Sequence, residues 1–193
     1  MLTAFEACIA RGGVALFPAD TVYGLACDPE NEAAVERLYA LKGRVPDKPA
    51  AVMFFDRDVA LASTPWLGPR TRTAMTALLP GGVTLLVPNP GHAWPLAGGG
   101  DVLGLRVPAG TPLDGARVAV LQTSANHAGG PDARRIEDVP ADIVKGASLK
   151  LGAGELPGVP STVVDLRSYE ETGAWTVLRE GAVSPGELRP KLG

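Results

Sequence analysis

Apolar positions recur along this chain with two periods. Phe5, Cys8 and Ile9 fall on one side of a helix that Thr3 and Glu6 open with a capping-box pattern and Gly12-Gly13 stops. Val35, Leu38 and Leu41 repeat at helical spacing behind an N-cap at Asn31, and Gly43 ends the segment, placing Lys42 and Arg44 at its C-terminal end. Short apolar runs between Gly and Pro breakers predict strands at 14–17, 50–55, 83–87, 102–107 and 118–123, with others at 148–151, 162–166 and 175–178. Helices are expected over 71–79, briefly over 132–139, and after Ser184, where Pro185 and Glu187 complete a capped first turn. This alternation is that of an α/β domain. No repeat or parting linker is visible, so residues 1–193 are expected to form one domain, with 88–100 a Gly/Pro-rich loop of the kind that often moves.

Composition narrows the class. Of 193 residues, 46% are hydrophobic and 20% charged, which supports a substantial core and excludes a disordered or coiled-coil chain. A net charge of -3 gives no overall attraction for polyphosphate, so an anion site must be local. Two cysteines, Cys8 and Cys27, and two histidines, His92 and His127, make neither a zinc site nor a disulfide framework, and buried free thiols are expected. The first residues resemble neither a signal peptide nor a membrane span, so the expectation is a cytoplasmic protein with no membrane association and no bound metal of its own.

Candidate chemistry gathers at strand ends. Lys42, Arg44 and Lys48 could neutralise a triphosphate, because Arg offers a planar fork and Lys a point charge; their bland role is to complement a helix C-terminus. Ser124-Ala125-Asn126 with Gly129-Gly130 makes a small polar turn directly after a strand, suited either to phosphate and ribose oxygens or to an Asx-turn. Arg106 ends a strand where a guanidinium suits a carboxylate, with a surface salt bridge as the alternative. Ser161 and Thr162 open a strand and Arg179 ends one. There is no phosphate loop, dinucleotide fingerprint or nucleophile elbow. Glu170 with Glu171 reads as a solvated turn, so no acid/base pair stands out.

The ordered set of motifs resembles the YrdC/Sua5 family of L-threonylcarbamoyladenylate synthases, in a short form without the C-terminal Sua5 domain. Residues 18–25, 42–49, 123–129, 161–166 and 178–181 carry the likeness nearly end to end. The resemblance implies a YrdC/RibB-like fold, a single-domain twisted mixed β-sheet with flanking helices around a concave, electropositive cavity. There L-threonine, bicarbonate and ATP, with Mg2+, become threonylcarbamoyl-AMP and pyrophosphate. It further implies that Thr21, Arg106 and Ser161 hold threonine, and that Lys42, Arg44, Lys48, Ser124, Asn126 and Arg179 hold ATP, with Lys42 and Arg44 catalytic. The product then passes to a tRNA threonylcarbamoyl-transferase complex for tRNA modification.

The chain departs from the family pattern at Ala19, Gly82 and Ala128, and carries Met53 where some members place a histidine near threonine. The segment 106–124 is short and contains Pro112, which predicts that the family's helix there is curtailed. Two alternatives remain beside the synthase. One is a double-stranded RNA or tRNA-binding module, or weak RNA binding beside synthesis; the other is carbamoyl transfer of the kind found in hydrogenase-maturation proteins.

Overall fold

The computed structural model describes residues 1–43 and 49–193. The first helix, α1 (Leu2–Ala10), starts one residue ahead of the expected cap. Thr3 lies inside its first turn and Met1 is the N-cap, because the earlier start lets Leu2 pack on the core. Two strands, β1 (Ala15–Pro18) and β2 (Tyr23–Cys27), form a hairpin in the register Ala15 to Ala26 and Pro18 to Tyr23. Next comes α2 (Glu32–Lys42), with the Asn31 side chain accepting from the Ala34 amide at 3.0 Å and Gly43 closing it in the left-handed conformation at φ 60°.

The expected strand at 50–55 shortens to β3 (Ala51–Met53), because Asp56 turns the chain into an unforeseen helix, α3 (Arg57–Ser63). The Asp56 carboxylate accepts from the amides of Asp58 and Val59 at 2.7 and 3.1 Å. After α4 (Pro69–Leu78) come β4 (Val83–Pro88), β5 (Val102–Arg106) and β6 (Val120–Ser124). No helix lies between β5 and β6, as Pro112 predicts. The helix expected over 132–139 contracts to one 3-10 turn at Ile136–Asp138, since the Asp138 carboxylate takes the Arg134 and Arg135 amides at 3.2 and 2.9 Å.

The chain finishes with α5 (Ala141–Gly146), β7 (Leu149–Lys150), β8 (Thr162–Asp165), α6 (Tyr169–Thr172), β9 (Thr176–Arg179) and α7 (Pro185–Leu192). The Ser184–Glu187 capping box opens α7 as expected. Glu170 does more than sit in a solvated turn: it accepts from the Thr71 amide at 2.8 Å, which caps α4 and holds this carboxyl below its usual range. No helix among the described residues is long and apolar enough to cross a membrane.

All these strands join one mixed sheet in the order β7-β1-β2-β6-β3-β5-β4-β8-β9, with parallel pairs at β7/β1, β3/β5 and β4/β8. Strand alternation then assigns the two faces. Leu16, Leu25, Val52, Leu85, Leu105, Leu121 and Val164 point to a core closed by α2 through α7. The opposite face is covered only in part. There α1 packs Phe5 against Phe17 and Phe55, with ring centroids 5.6 and 5.3 Å apart, and Met53 is sealed in the same cluster. Beyond the reach of α1 the face is open, and it forms the floor of a cavity.

The loop 88–100 is tied down at several points. The Asn89 side-chain amide donates to the Ala93 and Gly100 carbonyls at 3.0 Å, the Trp66 indole donates to the Pro88 carbonyl at 2.9 Å, and Trp94 packs edge-on against Phe54. Its Gly and Pro residues therefore shape held turns. The Ala50 amide bonds to the Ala97 carbonyl at 2.8 Å, which sets this loop against the rim of the cavity.

Candidate active site

Period two builds the cavity floor from what alternates with the core. On β4 the inward set Val83, Leu85 and Val87 leaves Thr84 and Leu86 facing the cavity; on β5 Leu103 and Leu105 leave Val102, Gly104 and Arg106; on β6 Leu121 leaves Gln122 and Ser124. Small residues at Ala50, Ala51 and Gly104 keep the floor low, and the cavity volume is about 520 Å³, within the usual range of ligand sites.

One corner of the cavity is organised by Lys42, the last residue of α2. Its ammonium is buried and donates to the Ser124 carbonyl at 2.8 Å and the Asn126 Oδ1 at 2.6 Å, with the Asn126 carbonyl at 3.0 Å and Ser124 Oγ at 3.2 Å. The Ser124 hydroxyl donates to Asn126 Oδ1 at 2.7 Å, and Asn126 Nδ2 donates to the Gly130 carbonyl at 2.5 Å. The predicted cation and the predicted polar turn thus form one unit, although they lie 84 residues apart in the chain. Asp132 adds a carboxylate to this side of the wall.

Arg106, Ser161 and Arg179 stand in the wall across the floor. The Arg106 guanidinium is only 4% exposed; it pairs with the Asp20 carboxylate and donates to Thr21 Oγ1 at 2.6 Å. Among the described residues its Nε has no hydrogen-bond partner. Burial pushes this group below its ordinary value, the Asp20 charge and hydrogen bond pull it back, and the nearby Arg179 charge lowers it again; an arginine so placed still keeps its proton. Arg179 donates through Nε and Nη2 to the Ser161 carbonyl at 3.2 and 2.8 Å, while the Ser161 and Thr84 hydroxyls pair at 2.8 Å.

Of the residues singled out from sequence, Lys42, Ser124, Asn126, Arg106, Ser161 and Arg179 line this one cavity. Thr21 is buried behind Arg106 and touches the site through that guanidinium. Arg44 and Lys48 lie outside the described residues. The salt bridge considered for Arg106 exists, but it is buried rather than on the surface. Met53 lies under α1 and away from the cavity wall. The sequence reading missed Asp20, Thr84, Gly104, Gln122 and Asp132. Thr84 carried a usable signal as the one polar residue in the apolar strand β4, and Gln122 carried one because it is in phase with the polar Ser124 two places along β6.

The arrangement is suited to holding an anionic ligand between two cationic corners. The family model for Sua5, YciO and YrdC proteins, described as telomere recombination, matches residues 7–181. The chain belongs to the Sua5/YciO/YrdC family. A Sua5/YciO/YrdC relative, the threonylcarbamoyl-AMP synthase of Chromohalobacter salexigens, is 36% identical over 173 residues, covering 85% of this chain and 91% of its own length. The structure of P. abyssi Sua5 superposes with a TM-score of 0.84 at 26% identity, covering 98% of this chain and 59% of Sua5, so the chain spans about three-fifths of that longer protein. E. coli YciO shares the fold, with a TM-score of 0.79 at 24% identity over 97% of this chain and 92% of YciO.

Proposed function

We propose that this chain is a threonylcarbamoyl-AMP synthase, a nucleotidyltransferase that makes threonylcarbamoyl-AMP and pyrophosphate from L-threonine, bicarbonate and ATP. The observation that carries the reading is the single cavity with two corners, Lys42–Ser124–Asn126 and Arg106–Ser161–Arg179. The first corner takes the phosphates; Arg44 and Lys48, which lie outside the described residues, are assigned to ATP by the family resemblance alone. The second takes the amino acid, with the Arg106 guanidinium on its carboxylate and Thr21 and Asp20 fixing that guanidinium.

The chemistry then needs positioning more than a protein nucleophile. The neutral threonine amine bonds to the carbon of bicarbonate and water leaves, giving the carbamate. A carbamate oxygen bonds to the α-phosphorus as the α–β phosphoanhydride bond breaks, and pyrophosphate departs with the electron pair. Holding both partners can remove on the order of 7 to 11 kcal/mol of barrier. Magnesium enters with the ATP phosphates as part of the substrate and offsets the charge developing on pyrophosphate. The product serves a tRNA-modifying acceptor complex.

The test is mass spectrometry of the purified chain with ATP, magnesium, bicarbonate and L-threonine. Threonylcarbamoyl-AMP that vanishes when threonine is omitted is the expected result. A folded, ATP-binding chain that makes no such product overturns the reading.

A further inference from the structure

The cavity floor holds a polar side chain with no place in the chemistry described so far. Gln122 sits mid-strand on β6 and is 7% exposed, and among the described residues no group hydrogen-bonds to its side-chain amide. Its cross-strand neighbours are Ala26 on β2 and Ala51 on β3, whose methyl groups neither donate nor accept. A side chain built on Gly24 would come within 3.0 Å of Gln122 Nε2, so the amide owes its room to a bare glycine. The amide faces the cavity, so its donor and its acceptor are both available to a bound ligand.

Strand register says which part of a ligand lies above it. Ser124 is two residues along the same face of β6, roughly 7 Å away. Ala51 and Gly104 continue the row of Gln122 across β3 and β5, and Arg106 lies two residues past Gly104. Arg106 and Ser124 lie on opposite sides of this row, so a molecule reaching from one corner to the other passes over Ala51, with the Gln122 side chain flanking it on β6. In the proposed reaction, the group at that junction is the carbamate that joins the threonine nitrogen to the α-phosphate.

We propose that the Gln122 amide binds this carbamate edge to edge, its Oε1 accepting the carbamate N–H and its Nε2 donating to the oxygen on the same side. This rests on the synthase reading and adds the residue that holds the carbamate. A carbamate presents one donor and one acceptor along that edge, which matches a primary amide and not a lysine or arginine. The remaining carbamate oxygen stays free of any cation and keeps its lone pairs for the phosphorus. No bond to Gln122 forms or breaks, so the atom balance of the reaction is unchanged.

The test compares wild type with Gln122→Met and Gln122→Glu in threonylcarbamoyl-AMP formation, varying bicarbonate, ATP and threonine in turn. Gln122→Met is expected to raise the KM for bicarbonate about tenfold or more, to leave the KM for ATP and threonine within about twofold, and to recover its rate at high bicarbonate. Gln122→Glu, which puts a negative charge against the carbamate, is expected to lose more. Calorimetric threonine binding without ATP reports that the cavity is folded; if Gln122→Met is not, Gln122→Asn withdraws the amide by one methylene and serves instead. An increased KM for ATP with an unchanged KM for bicarbonate overturns the proposal in favour of a base-reading amide. Unchanged kinetics in the folded variants also overturn it. A wild-type chain that makes no threonylcarbamoyl-AMP overturns the synthase reading itself, and this inference falls with it.

Discussion

The ammonium of Lys42 lies 2.6 Å from Oδ1 of Asn126, so the end of one helix fixes the turn that follows a central strand. Lys42 acts less like a cation held out to solvent than like a pin through the Ser124–Asn126 turn, whose hydroxyl and amide line the cavity. Lys42→Ala strips those acceptors of their donor. The expected outcome is a fall in turnover of about tenfold or more, near 1.4 kcal/mol, together with about 1 to 3 kcal/mol of lost stability from the unpaired groups. Steady-state kinetics and urea unfolding check the two effects separately. Wild-type turnover in a folded variant removes Lys42 from the mechanism.

Asp20 and Arg106 form a buried pair, with side chains 9% and 4% exposed. Removing one partner of such a pair leaves the other charge unmatched, at a cost of about 3 to 5 kcal/mol. Asp20→Ala is therefore expected to lower unfolding free energy by roughly 3 kcal/mol and to raise the KM for threonine, because the guanidinium loses its anchor. Asp20→Asn, which keeps an acceptor oxygen, is expected to lose less. A variant as stable as wild type with an unchanged KM for threonine refutes the positioning role.

The parts of this structure that were legible in sequence were those decided locally. Asn31 and Gly43 bracket α2, and Ser184 with Glu187 opens α7, because a cap needs only residues within one turn. The strand β2 was not legible, since all five of its residues are buried and no polar alternation marks it. It also holds Gly24, needed for the close approach of Gln122 and Phe17. The helix α3 escaped because its cap, Asp56, comes directly after an apolar run that reads as strand. In the site, local motifs marked Lys42, Ser124 and Asn126. Nothing local could link Asp20 to Arg106, 86 residues further along, because register and the returning 19–22 turn decide that contact.

Gly104 supplies the low point of the cavity floor. A methyl group added there would meet Ala51 Cα and Cβ at 3.5 and 3.6 Å and Leu86 Cδ2 at 3.7 Å, which are ordinary contacts. A larger side chain can therefore be accommodated only by filling the ligand's space, not by displacing the sheet. Gly104→Val is expected to fold with stability within about 1 kcal/mol of wild type, aided by the lower backbone entropy of its unfolded chain. Its activity is expected to drop by two orders of magnitude or more, close to 3 kcal/mol in transition-state stabilisation. Circular-dichroism melts and product assays decide the matter, and an active Gly104→Val variant shows that substrate does not lie over this strand.

Cys27 is fully buried on β2, and burial pushes its thiol from 9.0 up to about 12, with Asp28 adding to the rise and Arg37 opposing it. The folded chain therefore keeps this proton at pH values where the unfolded chain has released it. Between about pH 9 and 12 the unfolded state binds fewer protons, so this thiol lowers stability as pH rises, by up to about 1.4 kcal/mol per pH unit. Below pH 9 both states hold the proton and the effect vanishes. Other groups titrate in the same window, so the informative quantity is the difference between wild type and Cys27→Ala in urea unfolding at pH 8 and pH 10.5. The variant is expected to lose less stability across that interval, and at pH 8 the native wild-type Cys27 is expected to resist iodoacetamide until urea unfolds the chain. A Cys27 that reacts at pH 8 without denaturant, or equal pH slopes for the two proteins, shows that the thiol titrates near its ordinary value.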